Sequence, residues 1–173
     1  MMKKNGSLWC AMIFSAALLT GCGKDEEKAG AAPAENSPAV PAVQARNQAR
    51  QVNYETELKQ IGTGIAMYIL DHNDNMPATL ADIAPYCAGM DFSSFVYIGN
   101  IGRMPGNAAK VPVVFVKPEF CTGDRLPVMM ADGHVATVTI PGLSGKSMRQ
   151  ITEILVRDIA DQTLKNKLLS NAR

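Results

Sequence analysis

Apolar side chains recur at alternating spacings of four and three along Tyr54, Leu58, Ile61, Ile65 and Tyr68, the stripe of a helix that buries one face. The spacing predicts a helix over residues 47–71. Gly62 and Gly64 each weaken it by about 1 kcal/mol relative to alanine, and Gly62, on the flank of the stripe, would let another element approach closely. The helix should stop in "DHNDNMP", where Asn and Asp compete for backbone hydrogen bonds and Pro77 drives Met76 towards extended geometry. A short second helix starts at Thr79, with Leu80, Ile83 and Ala84 inward.

The period then changes. Runs at 95–99, 111–116, 126–131 and 134–140 are rich in Val, Ile, Phe and Tyr and are parted by Gly-, Asn- and Pro-bearing loops, which predicts strands. Pro112 and Pro127 stand near strand beginnings, where proline is tolerated. Pro141-Gly142 ends the sheet. A last helix is expected from Ser147, whose "SMRQ" resembles a capping box, with Met148, Ile151, Leu155 and Ile159 on one face. Leu164 and Leu168 fall off that face, so the end bends, frays or meets a partner, and this helix is the candidate docking element. The fold class is α+β: an N-terminal helix packed on a small antiparallel sheet of three to four strands, plus a C-terminal helix.

Composition and the first residues add a location. Lys3 and Lys4 precede an apolar run at 8–19, too short for a spanning helix of about 20 residues but right for an export signal. The run ends in Leu19-Thr20-Gly21-Cys22, which resembles the lipobox of bacterial lipoproteins. That resemblance implies cleavage of residues 1–21 and acylation of Cys22, hence a membrane tether through acyl chains such as palmitate. Gly23, where many inner-membrane lipoproteins carry Asp, implies the outer membrane facing the periplasm. Residues 22–46, rich in Ala, Pro and Glu, read as a flexible tether. The remaining organisation is a domain over 47–142 and a C-terminal helical extension over 143–173.

The chain holds 17 basic and 16 acidic residues, and loss of Lys3 and Lys4 leaves a formal −1. No basic surplus supports nucleic acid as a partner. Of four cysteines, Cys10 leaves with the signal and Cys22 is the lipid site. In an oxidising compartment Cys87 and Cys121 then read as one disulfide, stabilising the fold by about 3–4 kcal/mol; two separate buried thiols are the alternative.

Candidate chemistry concentrates in two places. Asp132 and Gly133 lie between two strand-like runs and predict a two-residue type I′ hairpin turn, with positive φ at both positions. Asp132 and His134 alone lack the nucleophile or third group of a catalytic site, so no catalytic residue is assigned. "DHNDNMPATLAD" places Asp71, Asn73, Asn75 and Asp82 at the first, third, fifth and twelfth positions of a calcium loop. Met76 stands where the sharp turn needs Gly, and Asp82 where a bidentate Glu is usual, so a helix-stop turn accounts for these residues and calcium is the alternative. No other metal or cofactor is indicated.

The segments "ELKQIGTGIAMYILDHNDNMPATLADI", "FVYIG", "VPVVFVKPE" and "LPVMMADGHVATV", in that order, resemble the globular domain of pseudopilin-like proteins. One such type, associated with prepilin processing, ends in a His, nine residues, then Asp-Gly, and is related in shape to the major pseudopilin of type II secretion. Here that His falls at Thr122, and neighbouring Cys121 suggests a disulfide in its place. A lipobox and polar tether also stand where pseudopilins carry a prepilin-peptidase site and a long apolar helix, so the chain should not polymerise as a pilus subunit. The resemblance implies a lipid-anchored, non-enzymatic accessory or scaffold that docks on an envelope protein of a type II secretion or pilus-like system. The alternative is an envelope enzyme or small-ligand receptor using the Cys121 and His134 neighbourhood.

Overall fold

A computed structural model describes residues 39–172, with side chains from residue 42 onward. The export signal, the lipobox, Cys22 and the tether up to residue 38 lie outside the described residues. Helix α1 spans Ala39–Asp71, so it stops where expected but starts inside the stretch assigned to the tether. Its early residues are dominated by Ala, Val, Gln and Arg, and Pro41 sits in the first turn, where its missing N–H removes no helical bond. The stripe behaves as predicted in its middle: Leu58, Ile61 and Ile65 are buried, while Tyr54 and Tyr68 are half-buried against the core.

The segment after the helix stop is a 3₁₀ helix, Leu80–Tyr86, closed at its start by reciprocal bonding of Thr79 and Asp82. Its three-residue repeat brings Leu80 and Ile83 inward and leaves Ala84, expected inside, exposed.

Four strands follow, β1 (Phe95–Tyr97), β2 (Pro112–Val116), β3 (Arg125–Met130) and β4 (Val135–Thr139). They form one antiparallel sheet in the order β1-β2-β3-β4. Pro127 is the third residue of β3 rather than its start. Its missing N–H falls at the end of the β2 ladder, which closes at Phe115 opposite Val128.

Alternation across the sheet decides what covers it. Met129 faces α1, where a Cβ built on Gly62 would meet its sulfur at 3.0 Å. Thr137, opposite Pro127, bonds Glu55 of α1 at 3.1 Å, and Phe95 meets Tyr54 edge-on at 6.2 Å. Side chains of opposite parity must point away from α1. Yet Leu126, Val128, Phe115 and Ile98 are fully buried, so a second layer covers them.

That layer is the C-terminal segment. The expected single helix is two, α2 (Met148–Leu155) and α3 (Gln162–Asn171). Ser147 and Gln150 make the expected capping box. The break comes because Asp161 caps a new helix by accepting from Leu164 N. Leu143, Ile151, Val156 and Leu168 are fully buried and belong to the same core cluster as the sheet. The Asn171 side-chain amide donates to Ile98 O and Asn100 O, and Lys167 Nζ to Ile101 O. Residues 143–172 are therefore the second wall of the domain, not an extension, and Leu168 faces its core rather than a docking partner. Contacts join the described residues into one unit.

Candidate functional site

The Asp132-Gly133 turn exists but with a different geometry. Gly133 N donates to Met130 O and Met130 N to His134 O, each at 2.9 Å. Gly133 alone is left-handed, at φ +86°; Asp132 is not. This is the three-residue hairpin connection whose last residue takes the positive φ, in place of the two-residue type I′ turn. It leaves the Asp132 carboxylate free to accept from His134 N at 3.1 Å and to meet His134 Nδ1 at 2.6 Å. Burial alone would raise the Asp132 carboxyl, but the backbone and ring bonds of His134 outweigh it and hold it below its ordinary value. Neither side chain hydrogen-bonds a further side chain among the described residues. The pair closes the turn and orients the ring.

Cys121 lies at the other end of the sheet. It precedes Arg125, the first residue of β3, whereas His134 follows the last, and a six-residue strand is about 17 Å long. The two do not form one site. Cys121 Sγ is 3.5 Å from Lys117 O and 3.9 Å from Val116 O. Burial, with a smaller push from Glu119, raises the thiol to about 11, which suppresses the nucleophilic thiolate.

The expected Cys87–Cys121 disulfide is not formed: both are free thiols. Cys87 packs against Gly64 and Gln60 of α1, whereas Cys121 shares its surroundings with Gln51 and Tyr54. Those stretches of the helix are about 9 Å apart by rise, so the two thiols pack in different neighbourhoods. Compartment and count cannot see that separation.

The helix stop is built from backbone. Asn73 and Asp74 take left-handed φ of 54° and 63°, Asp74 N donates to Ile69 O, and Met76 N donates to Gly102 O at 2.6 Å. Asp71 accepts from the Tyr86 hydroxyl at 2.6 Å, the Asn75 amide donates to His72 O at 2.9 Å, and Asp82 caps Thr79 N at 2.8 Å. These bonds stabilise the turn that stops the helix; the Asn75 bond uses its amide N–H and leaves its oxygen free. Among the described residues no group of three or more His, Cys, Asp or Glu is placed to hold a metal. His72 is exposed at the helix end and stacks on Tyr68 at 3.8 Å.

One concavity went unnoticed in the sequence. An open cleft of about 650 Å³ lies between α1 and the loop before β1, lined among others by Tyr54, Glu57, Tyr86, Met90 and Asp91. Burial, then the Asp91 charge, raises the Glu57 carboxyl, while Ser93 backbone and hydroxyl donors lower that of Asp91. Glu57 is the residue just before Leu58 of the stripe, so its place at the stripe's margin was the available signal. Its neighbour across 34 residues was not.

Comparison of the chain with protein-family models, with curated proteins and with solved structures finds no match.

Proposed function

We propose that this chain is a lipid-anchored bacterial envelope protein whose α+β domain serves as a non-enzymatic accessory or interaction module in a type II secretion or pilus-like system. The observation that carries the reading is the shape of α1. Its C-terminal half is built into the core, while the described side chains of residues 42–50 are exposed, apart from half-buried Asn47. A helix whose first turns stand clear of the core presents an arm. Val43, 53 % exposed, is an apolar position on that arm, and Val52, 60 % exposed, lies where it meets the domain. The pseudopilin-like order of segments in the sequence supports the same role, and the lipobox resemblance supports outer-membrane attachment through Cys22.

Cross-linking in intact cells, with the anchor native and a photoreactive residue at position 43 or 52, tests this. Recovery of a secretin, pseudopilin or assembly-platform component is expected. Recovery of none of these, from an arm that cross-links efficiently to other proteins, would overturn the assignment. Cys121 and His134 lie at opposite ends of β3, so an enzyme reading would rest on another site. A receptor reading keeps the cleft beside Glu57 and Asp91, whose volume lies in the range of small-molecule sites. Screening the full chain for ligands that lose affinity in Glu57→Gln addresses it.

A further inference from the structure

We propose that β4 is the docking edge for a second copy of this chain, with the two β4 strands pairing antiparallel about a two-fold axis at Thr137. The phase of the β3–β4 ladder is set at both ends. Ile140 N donates to Asp124 O at 2.8 Å, and Met130 N donates to His134 O at 2.9 Å. Between them the register runs from Arg125 opposite Thr139 to Met129 opposite Val135. Bonded and non-bonded pairs alternate in an antiparallel ladder, so Ala136 and Val138 turn their backbone groups towards β3. Val135, Thr137 and Thr139 turn theirs away. Pro127, opposite Thr137, has no N–H to offer, which agrees with this phase.

Among the described residues the sheet order ends at β4, so three N–H and three C=O groups line an edge with no described strand beside it. Exposed edges are normally blunted by lysine, proline or a bulge. The β4 sequence Val-Ala-Thr-Val-Thr has no charge and no proline, and its register with β3 is unbroken. The opposite edge is protected by brevity, since β1 has three residues.

A second copy fits because the outward set is its own complement. With Thr137 facing Thr137, Val135 faces Thr139 in both directions and every outward backbone group is paired. The facing side chains are Val with Thr, Thr with Thr, and Ala136 with Val138, with no like charges opposed. Helix α1 does not obstruct this. Among the strands α1 packs chiefly on β3, and the two β3 strands would lie three strand steps, about 14 Å, apart, wider than the 8–10 Å typical of packed helices. Glu55, bonded to Thr137, would flank the axis from each copy, so pairing should strengthen as salt screens the two carboxylates.

The test is Thr137→Cys in the full chain, purified in detergent and oxidised with copper phenanthroline. A bonded antiparallel pair sets Cα atoms about 5.5 Å apart, within disulfide reach, so the covalent dimer should exceed that from Asp91→Cys, in the loop before β1, by about tenfold or more. Thr137→Pro removes an outward N–H and spares the β3 ladder, and should weaken self-association by about tenfold or more in density-matched sedimentation. Val135→Lys gives the same readout if the proline variant fails to fold. Cross-linking at 137 no better than at 91, a cross-linked product containing a different polypeptide, or a folded edge variant that sediments as the wild type would each overturn the proposal.

Discussion

Gly64→Ala probes directly how α1 seats on the domain. The site is mid-helix, where alanine favours the helix by about 1 kcal/mol. A Cβ there, however, would overlap the Cys87 sulfur, with Ile83 at ordinary contact, 3.6 Å away. The sulfur has little room to yield, being buried and placed 3.6 Å from Gln60 O. Overpacking costs about 1–3 kcal/mol, so the net expectation is a loss of about 0–2 kcal/mol. Cys87→Ala removes the obstruction, and on that background Gly64→Ala should recover its helical advantage and stabilise by about 1 kcal/mol. The two substitutions are therefore coupled by about 1–3 kcal/mol. Urea unfolding followed by far-UV circular dichroism measures this. With a slope of about 1–3 kcal/mol per molar urea, the midpoint shift caused by Gly64→Ala should differ between backgrounds by about 1 M at constant slope. Equal shifts on both backgrounds would refute the contact.

Truncation after Gly145 should unfold the domain, because it removes Ile151, Val156 and Leu168, all fully buried; at about 1.5–3 kcal/mol each their loss rivals the whole stability of a typical domain. A truncated chain that melts cooperatively near the full-length temperature would contradict the two-walled core. Asp132→Ala should lower stability at neutral pH by about 0.2–1 kcal/mol, the range of exposed pairs. Because the folded carboxyl lies below its ordinary value, that contribution is present above the unfolded carboxyl's titration and lost as pH falls through the folded one. Melting curves of the two proteins should converge in strong acid, and a gap unchanged from pH 7 to pH 2 would exclude this linkage. Cys87 and Cys121 should each be recovered as free thiols when the unreduced protein is unfolded and alkylated, and a single disulfide-linked peptide would show the separation to be wrong. In the folded protein Cys121 should alkylate slowly at pH 8, its thiol being raised to about 11, with the rate climbing towards that pH.

Local chemistry made much of this protein legible. The stop of α1 at Asp71, the four strand positions and the Ser147 capping box depend on neighbours a few residues away, and each lies where its residues indicate. Misreadings began where distant segments decide. Asp132 and Gly133 announced a turn, but whether one or two positive φ values were needed depended on strand register, which ends the ladder at Met130 and His134. Leu164 and Leu168 fall off the face of the preceding helix because the chain turns at Asp161, which caps a new one. Cysteine count implied a bridge, but the two thiols pack against different stretches of α1 and are free. The cleft at Glu57 required residue 91 to arrive from another loop. The sequence by itself determined the elements, their order and the α+β class, since hydrophobic period, caps and turn residues act over one or two turns of chain. Only the tertiary structure decided which faces are covered, which thiols are apart and which strand edge is left open. Those depend on packing between segments that no local pattern records.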